Sequence, residues 1–149
     1  MTQRLNAVTV APQLYEVMSA VENYVRSTVE PTLLELVKLR ASMINRCTFC
    51  VDLHSNDALR RGERPERLFG LAAWREAPFY TDAERAALAL TDAATRLDDA
   101  GVPDDVWDRA AEHFDDKQLA DRSDEIGMIN FWNRFAISFR TTPLSVRRA

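Results

Sequence analysis

Cys47, Cys50 and His54 follow one another at intervals of three and four residues, and a helix is the regular structure that gathers residues so spaced. At about 100° per residue the three fall within roughly 60° of one another. Two thiols and an imidazole therefore share one helical face, where a disulfide across one turn is feasible with a base beside it. The surrounding stretch, Glu35 to Gly62, reads ELVKLRASMINRCTFCVDLHSNDALRRG and holds both cysteines of the protein and one of its two histidines. A chain organised around such a face must supply further helices to bury it.

The rest of the sequence supplies them. A first helix opens near Pro12, with Leu14, Val17, Met18, Val21, Tyr24 and Val25 as its apolar stripe and Glu16, Glu22 and Asn23 on the other side. Pro31 suits the first turn of a second, which carries Leu33, Leu34, Val37 and Ile44 with Glu35, Lys38 and Arg40 between them. The pattern changes at Asn45-Arg46. A break there lets Asn45 cap a new helix with Cys47 in its first turn, where free N–H groups and the helix dipole favour a thiolate. Gly62 is placed to end that helix. Pro65 starts another, PERLFGLAAWREA, which Pro78 stops. Thr81-Asp82-Ala83-Glu84 is a capping box, Gly101-Val102-Pro103 turns into a short helix, and Asp115 caps the last and longest one. The basic tail Arg147-Arg148-Ala149 is expected to fray. No segment alternates with period two for long. The expectation is an all-α protein of about seven helices in a single domain spanning residues 1–149.

A chain of 149 residues, 46% hydrophobic, can bury a substantial core, and no Pro/Gly/Ser-rich linker divides it. The net charge of -4 argues against a nucleic-acid partner. Met1 to Val10 has no continuous apolar core of a leader, and no apolar run approaches a membrane span, so the expectation is a cytoplasmic protein with no membrane partner. In that compartment a C-x-x-C pair points to redox chemistry or metal binding rather than to a structural staple. Zinc needs four ligands in a closed site, and beyond the two cysteines and His54 only Glu35 is an obvious fourth. Two buried structural cysteines with a satisfied histidine form the third reading. On the residues alone Glu35 is by default a solvated carboxylate, free to pair with Lys38 or Arg40. His113 is expected to be capping or exposed. Asn130 and Asn133 are candidates for buried hydrogen bonding and equally for an exposed polar face. The aromatic residues, Trp74, Phe79, Tyr80, Trp107, Phe131, Trp132, Phe135 and Phe139, are expected in the core and at a subunit interface.

The run of Glu35, Cys47-Thr48-Phe49-Cys50 and His54 resembles the active-site pattern of the AhpD-like alkylhydroperoxidases, within the carboxymuconolactone decarboxylase superfamily. Leu36 to Ser42, Ala72 to Pro78, Tyr80 to Ala86 and Ile129 to Arg134 resemble segments of the same family, so the likeness covers nearly the whole chain. The resemblance implies an AhpD-like helical bundle assembled as a homo-oligomer, commonly a trimer or hexamer. It implies that Cys50 is the peroxidatic cysteine, that Cys47 resolves it as an internal disulfide, and that Glu35 and His54 form a proton relay. It also implies a hydroperoxide substrate, no bound cofactor or metal, and re-reduction by a lipoylated protein or another dithiol. The best-known members carry a second histidine between the cysteines, where this sequence has Phe49. An apolar neighbour there raises a thiol pKa by desolvation. Two rivals stand beside the peroxidase: a dithiol adaptor or sensor that cycles its disulfide without efficient peroxide turnover, and a decarboxylase of the wider superfamily, whose chemistry uses no dithiol.

Overall fold

Every residue from Leu33 to Ser42 is buried, so one helix runs through the middle of the molecule with protein on all its sides. The structure, a computed structural model, describes residues 2–147. Among them lie nine α-helices and no strand: α1 (Ala7–Val10), α2 (Pro12–Thr28), α3 (Pro31–Ile44), α4 (Thr48–Arg60), α5 (Pro65–Gly70), α6 (Asp82–Arg96), α7 (Asp104–Ala111), α8 (Asp116–Phe139) and α9 (Leu144–Arg147). The central helix is α3. Its Leu33 and Val37 pack with Ala87 and Leu90 of α6, Ala110 of α7 and Ile126 of α8. Its Leu36 and Leu39 pack with Ala58 of α4, Leu71, Trp74 and Tyr80. Its Ala41 meets both cysteines, Ile129 and Ala136.

The all-helical expectation holds, and the count rises from about seven to nine because two four-residue helices, α1 and α9, are too short to show a periodic stripe. Arg147, expected to fray, closes α9, while Arg148 and Ala149 lie outside the described residues. Prolines open α2, α3 and α5 as expected. Capping boxes at Thr81–Glu84 and Asp115–Gln118 open α6 and α8. Gly62, at φ +90°, closes α4, with Gly62 N–H on Leu59 C=O and Glu63 N–H on Ala58 C=O.

The helix expected from Pro65 to Ala77 stops early, at Gly70, and gives way to a 3₁₀ turn over Leu71–Ala73. One carbonyl that a longer helix would use internally, Leu71 C=O, is taken by a guanidinium group, and another guanidinium satisfies carbonyls at the end of the segment. Arg40 donates to Leu71 C=O at 3.1 Å, and Arg85 donates to the carbonyls of Trp74, Arg75 and Ala77. A Cβ at Gly70 would also come within 3.2 Å of the Phe79 ring and the Tyr80 hydroxyl, which fixes a close approach.

Helix α2 forms where expected but is turned the other way. Val25 is its one buried residue, while Leu14, Val17, Val21 and Tyr24 face out and Glu22 faces in. A buried cation on α3, described below, draws the carboxylate inward against the hydrophobic preference of the stripe.

Arg40 anchors α3 to α6 through Asp92. Its guanidinium makes two hydrogen bonds to that carboxylate, at 2.6 and 3.0 Å, and Arg75 adds a third at 2.7 Å. Burial alone would raise the Asp92 pKa, but Arg40 and Arg75 hold it below the usual carboxylate range. Asp92→Ala leaves the buried Arg40 charge uncompensated and is expected to lower unfolding stability by about 3–5 kcal/mol, read from urea denaturation.

Candidate functional site

Helix α3 ends in a tight reversal that determines where both sulfurs lie. Arg46 adopts the left-handed conformation at φ +58°. The Arg46 N–H then bonds Met43 C=O at 3.2 Å and the Cys47 N–H bonds Ser42 C=O at 3.0 Å, the closing pattern of a Schellman turn. Cys47 is at once the last residue of that turn and the N-cap of α4, whose first bond runs from Val51 N–H to its carbonyl. The expected break at Asn45-Arg46 is present. The expected role of Asn45 is not: it caps the C-terminus of α3, and its side chain donates to Asn130 Oδ1 and Asn133 Oδ1, each at 2.8 Å. Asn133, fully buried, passes the chain on to Ser42 Oγ at 3.0 Å. Asn130 bonds Thr95 Oγ1 at 3.1 Å. Asn133 thus takes the buried option while Asn130 is half-buried, and together they tie the α3–α4 reversal to the longest helix.

Both cysteines are reduced and buried. The Cys50 thiol donates toward the Cys47 sulfur, and this, with the N–H groups of Cys50 and Phe49 and the amide of Asn133, lowers Cys47 to about 7 against the opposing effect of burial. The same bond drives Cys50 strongly upward, with burial and the Cys47 charge adding to it. The pair behaves as a unit that gives up one proton readily and keeps the other. Access divides the sulfurs differently. Cys50 lines a cavity of about 440 Å³, together with His54, Phe49, Tyr15, Trp132 and Phe135, whereas Cys47 does not line it.

His54 and Glu35 meet. The imidazole Nδ1 lies 2.8 Å from Glu35 Oε2, and both side chains are buried. Burial pushes the Glu35 carboxyl up, but the hydrogen bond and charge of His54, with Arg26 and Lys38, bring it below its ordinary value. An ionised Glu35 only accepts, so Nδ1 carries the proton in that bond and Nε2 is left for the cavity that His54 lines. The solvated Glu35 expected from the residues alone is corrected: its carboxylate has a fixed partner on α4. Lys38 and Arg40, its suggested surface partners, pair with Glu22 and Asp92 instead. His113 is exposed, as expected.

Glu22, Arg26 and Lys38 carry no motif and escape sequence reasoning. Glu22 accepts from Lys38, from Arg26 Nε at 2.8 Å and from Trp132 Nε1 at 3.2 Å, and Arg26 also reaches Glu35 Oε1 at 3.5 Å. The one available signal was the Glu22–Arg26 spacing of four, which reads equally as a surface pair. Among the described residues no cluster of three or more His, Cys, Asp and Glu side chains is arranged to hold a metal ion.

The wall of the cavity facing α4 and α8 comes from segments far apart in sequence, including Gln3, Asn6, Val8, Thr141 and Leu144. Arg4 holds one to the end of α8, through its N–H on Phe139 C=O at 2.9 Å and its guanidinium on Ser138 C=O at 3.1 Å. Ser145 N–H on Asp52 at 3.0 Å holds the other to α4.

The sequence matches the model of the carboxymuconolactone decarboxylase family over residues 12–93. It is 39% identical over 139 residues to the uncharacterized protein YdfG of Bacillus subtilis (strain 168), covering 93% of this chain and 95% of that one. The fold is similar to the crystal structure of ATU0492 from Agrobacterium tumefaciens, a protein of unknown function whose description suggests an antioxidant-defence protein AhpD. The TM-score is 0.92 at 38% identity, over 95% of this chain and 98% of that one. It is also similar in fold to the debrominase Bmp8, with a TM-score of 0.81 at 19% identity, over 92% of this chain and 74% of that one.

Two measurements follow from this geometry. Ultraviolet thiolate absorbance of the reduced protein is expected to show one thiolate forming with a midpoint of about 7 and the second withheld to far higher pH. Two thiolates forming together near about 8.5 would contradict a shared proton. Glu35 has a folded pKa below its unfolded value of about 4.3, so its network contributes stability above that pH and loses it as pH falls through the lowered value. Glu35→Gln is therefore expected to flatten the acid side of the stability–pH curve measured by denaturant titration.

Proposed function

Because this chain belongs to the carboxymuconolactone decarboxylase family, we propose that its cavity is the site of an AhpD-like, thiol-dependent reduction of hydroperoxides. The observation that carries the reading is the division of the dithiol: Cys50 and His54 line the cavity, one helical turn apart, while its neighbour Cys47 does not. A sulfur open to substrate, a base beside it and a second sulfur within reach are the parts that a dithiol peroxidase needs.

The first thiol proton passes from the pair to His54 Nε2 as the thiolate forms, and the proton that remains shared lets the negative charge pass from Cys47 to Cys50 when a hydroperoxide enters. The Cys50 sulfur attacks the outer peroxide oxygen, an S–O bond forms as the O–O bond breaks, and the departing alkoxide takes the proton held on His54 and leaves as an alcohol. Glu35 orients His54 and balances its charge. The Cys47 sulfur then attacks the Cys50 sulfur of the sulfenic acid, the hydroxyl leaves as water with the remaining proton, and a disulfide results. In sum one hydroperoxide becomes alcohol and water while two thiols become one disulfide. An external dithiol, on a lipoylated or other reductant protein, returns two electrons and two protons, and no bound cofactor or metal is needed.

A homo-oligomer, trimer or hexamer, belongs to the same reading, and the outward stripe of α2 is the apolar surface that such an assembly would cover. The reading also keeps the protein in the cytoplasm, away from membranes; no helix among the described residues is long and apolar enough to cross one. Phe49 favours a second reading, a dithiol adaptor or sensor, because it puts an apolar ring beside Cys50 in the cavity. The decarboxylase of the wider superfamily, whose chemistry uses no dithiol, is disfavoured by the Cys50 thiol in the cavity wall and the second thiol, Cys47, bonded to it.

Cys50→Ser is expected to abolish hydroperoxide consumption, and Cys47→Ser to leave a sulfenic acid on Cys50 that a dimedone probe captures. Full activity in both variants would overturn the proposal. Slow, non-saturating oxidation of the wild-type protein in stopped-flow mixing would instead favour the adaptor, and activity that survives thiol alkylation would favour the decarboxylase.

A further inference from the structure

Lys38 is a fully buried cation in an interior where such a charge is costly without a partner. It lies one helical turn beyond Glu35 on α3, so the two side chains leave the helix on neighbouring faces. Its one hydrogen-bonding carboxylate is Glu22, reached across the interface from α2. Glu22 is not Lys38's alone: the same carboxylate accepts from Arg26 at 2.8 Å and from Trp132 at 3.2 Å. Glu22 lines the cavity together with Trp132, Cys50 and His54, so the Lys38 ammonium is held directly behind a residue of that wall.

We propose that Lys38 is a positioning residue for the thiol site, its ammonium pinned by Glu22 behind the cavity so that its charge stabilises the anion on Cys50 and keeps Glu35 ionised. This rests on the reading of Cys50 as the reacting sulfur. Lys38 pairs with Glu22 of α2, which also holds Arg26. Arg26 reaches Glu35, whose carboxylate holds His54 of α4 and lies 3.8 Å from Arg61. Cys50 follows the N-cap Cys47 on α4, and Arg122 pairs with Glu125 on α8. The Lys38 charge lowers the pKa of Cys50, of Glu35 and of Glu125 alike. Complete burial raises the Glu125 carboxyl to about 8, and Glu125 pairs with Arg122 at 2.9 Å and not with Lys38. Phe49, the other neighbour of Cys50 in the cavity wall, offers no charge. The cation for the thiolate thus comes from below the wall, where a substrate cannot displace it.

The test reads the Cys50 thiol without any peroxide. In a Cys47→Ser background the pH dependence of iodoacetamide alkylation gives the Cys50 midpoint alone. Adding Lys38→Met is expected to raise that midpoint by about one unit, which is about tenfold slower alkylation at pH values below it, and Lys38→Arg is expected to restore it. Adding Glu22→Gln removes the anion opposing Lys38 and is expected to lower the midpoint. A loosened fold would move both variants in the same direction, so opposite signs separate charge from structure, and Glu22→Gln reports even where Lys38→Met does not fold. Unchanged midpoints, or shifts of the same sign, would overturn the proposal. If the midpoints shift as expected but Cys47→Ser forms no sulfenic acid with hydroperoxide, the peroxidase reading falls and this one stands.

Discussion

The central helix α3 is buried on every side and yet carries three ionised side chains, and the rest of the molecule is arranged to receive them. Each finds its partner on a different neighbour: Glu35 on α4 through His54, Lys38 on α2 through Glu22, and Arg40 on α6 through Asp92. Such pairs add little stability over apolar residues of the same volume, but an unpaired member would be heavily penalised. Their contribution is direction. An apolar helix could rotate or slide against its neighbours at small cost, whereas a helix with three fixed partners has one register. That register sets the distance from Glu35 to His54, so the polar architecture of the core and the geometry of the site are the same set of bonds.

The reversal between α3 and α4 is the second element the site depends on. A left-handed arginine costs roughly 1–2 kcal/mol relative to glycine. Arg46 is held there because the turn it makes is bonded from both sides, by Met43 and Ser42 behind it and by the Asn45–Asn133 link to α8. The same turn sets Cys47 at the mouth of α4, where N–H groups favour a thiolate, and turns Cys50 into the cavity. The charge-stabilised sulfur and the accessible sulfur are therefore different atoms one turn apart.

Helix starts and stops were legible because they are written locally. Pro31, Pro65, the Thr81–Glu84 box, the Asp115–Gln118 box and Gly62 each act on the backbone within a few residues of themselves. The face shared by Cys50 and His54 was legible for the same reason, since it depends only on helical spacing. What stayed hidden depends on partners distant in sequence. Glu35 reads as solvated until α4 is folded over it. The orientation of α2 reverses because Glu22 answers a lysine sixteen residues on. The helix from Pro65 breaks at Gly70, where Arg40, from another element, claims Leu71 C=O and the Phe79 ring and Tyr80 hydroxyl press close. Asn45 had the residue type of a cap and the position of one, yet the amides of α8 took its side chain.

The cavity wall closed by Arg4 and Ser145 differs in kind from the wall formed by α4 and α8. The latter opens only with the core, while the former is held by a few hydrogen bonds at the surface, the sort that break in local fluctuations well short of unfolding. The cavity is already partly open to solvent, and fraying of the two short segments would reshape that opening without any movement of the bundle core. The size and shape of the cavity then respond to temperature, mild denaturant or a fusion near those segments, even when no residue of the core has changed.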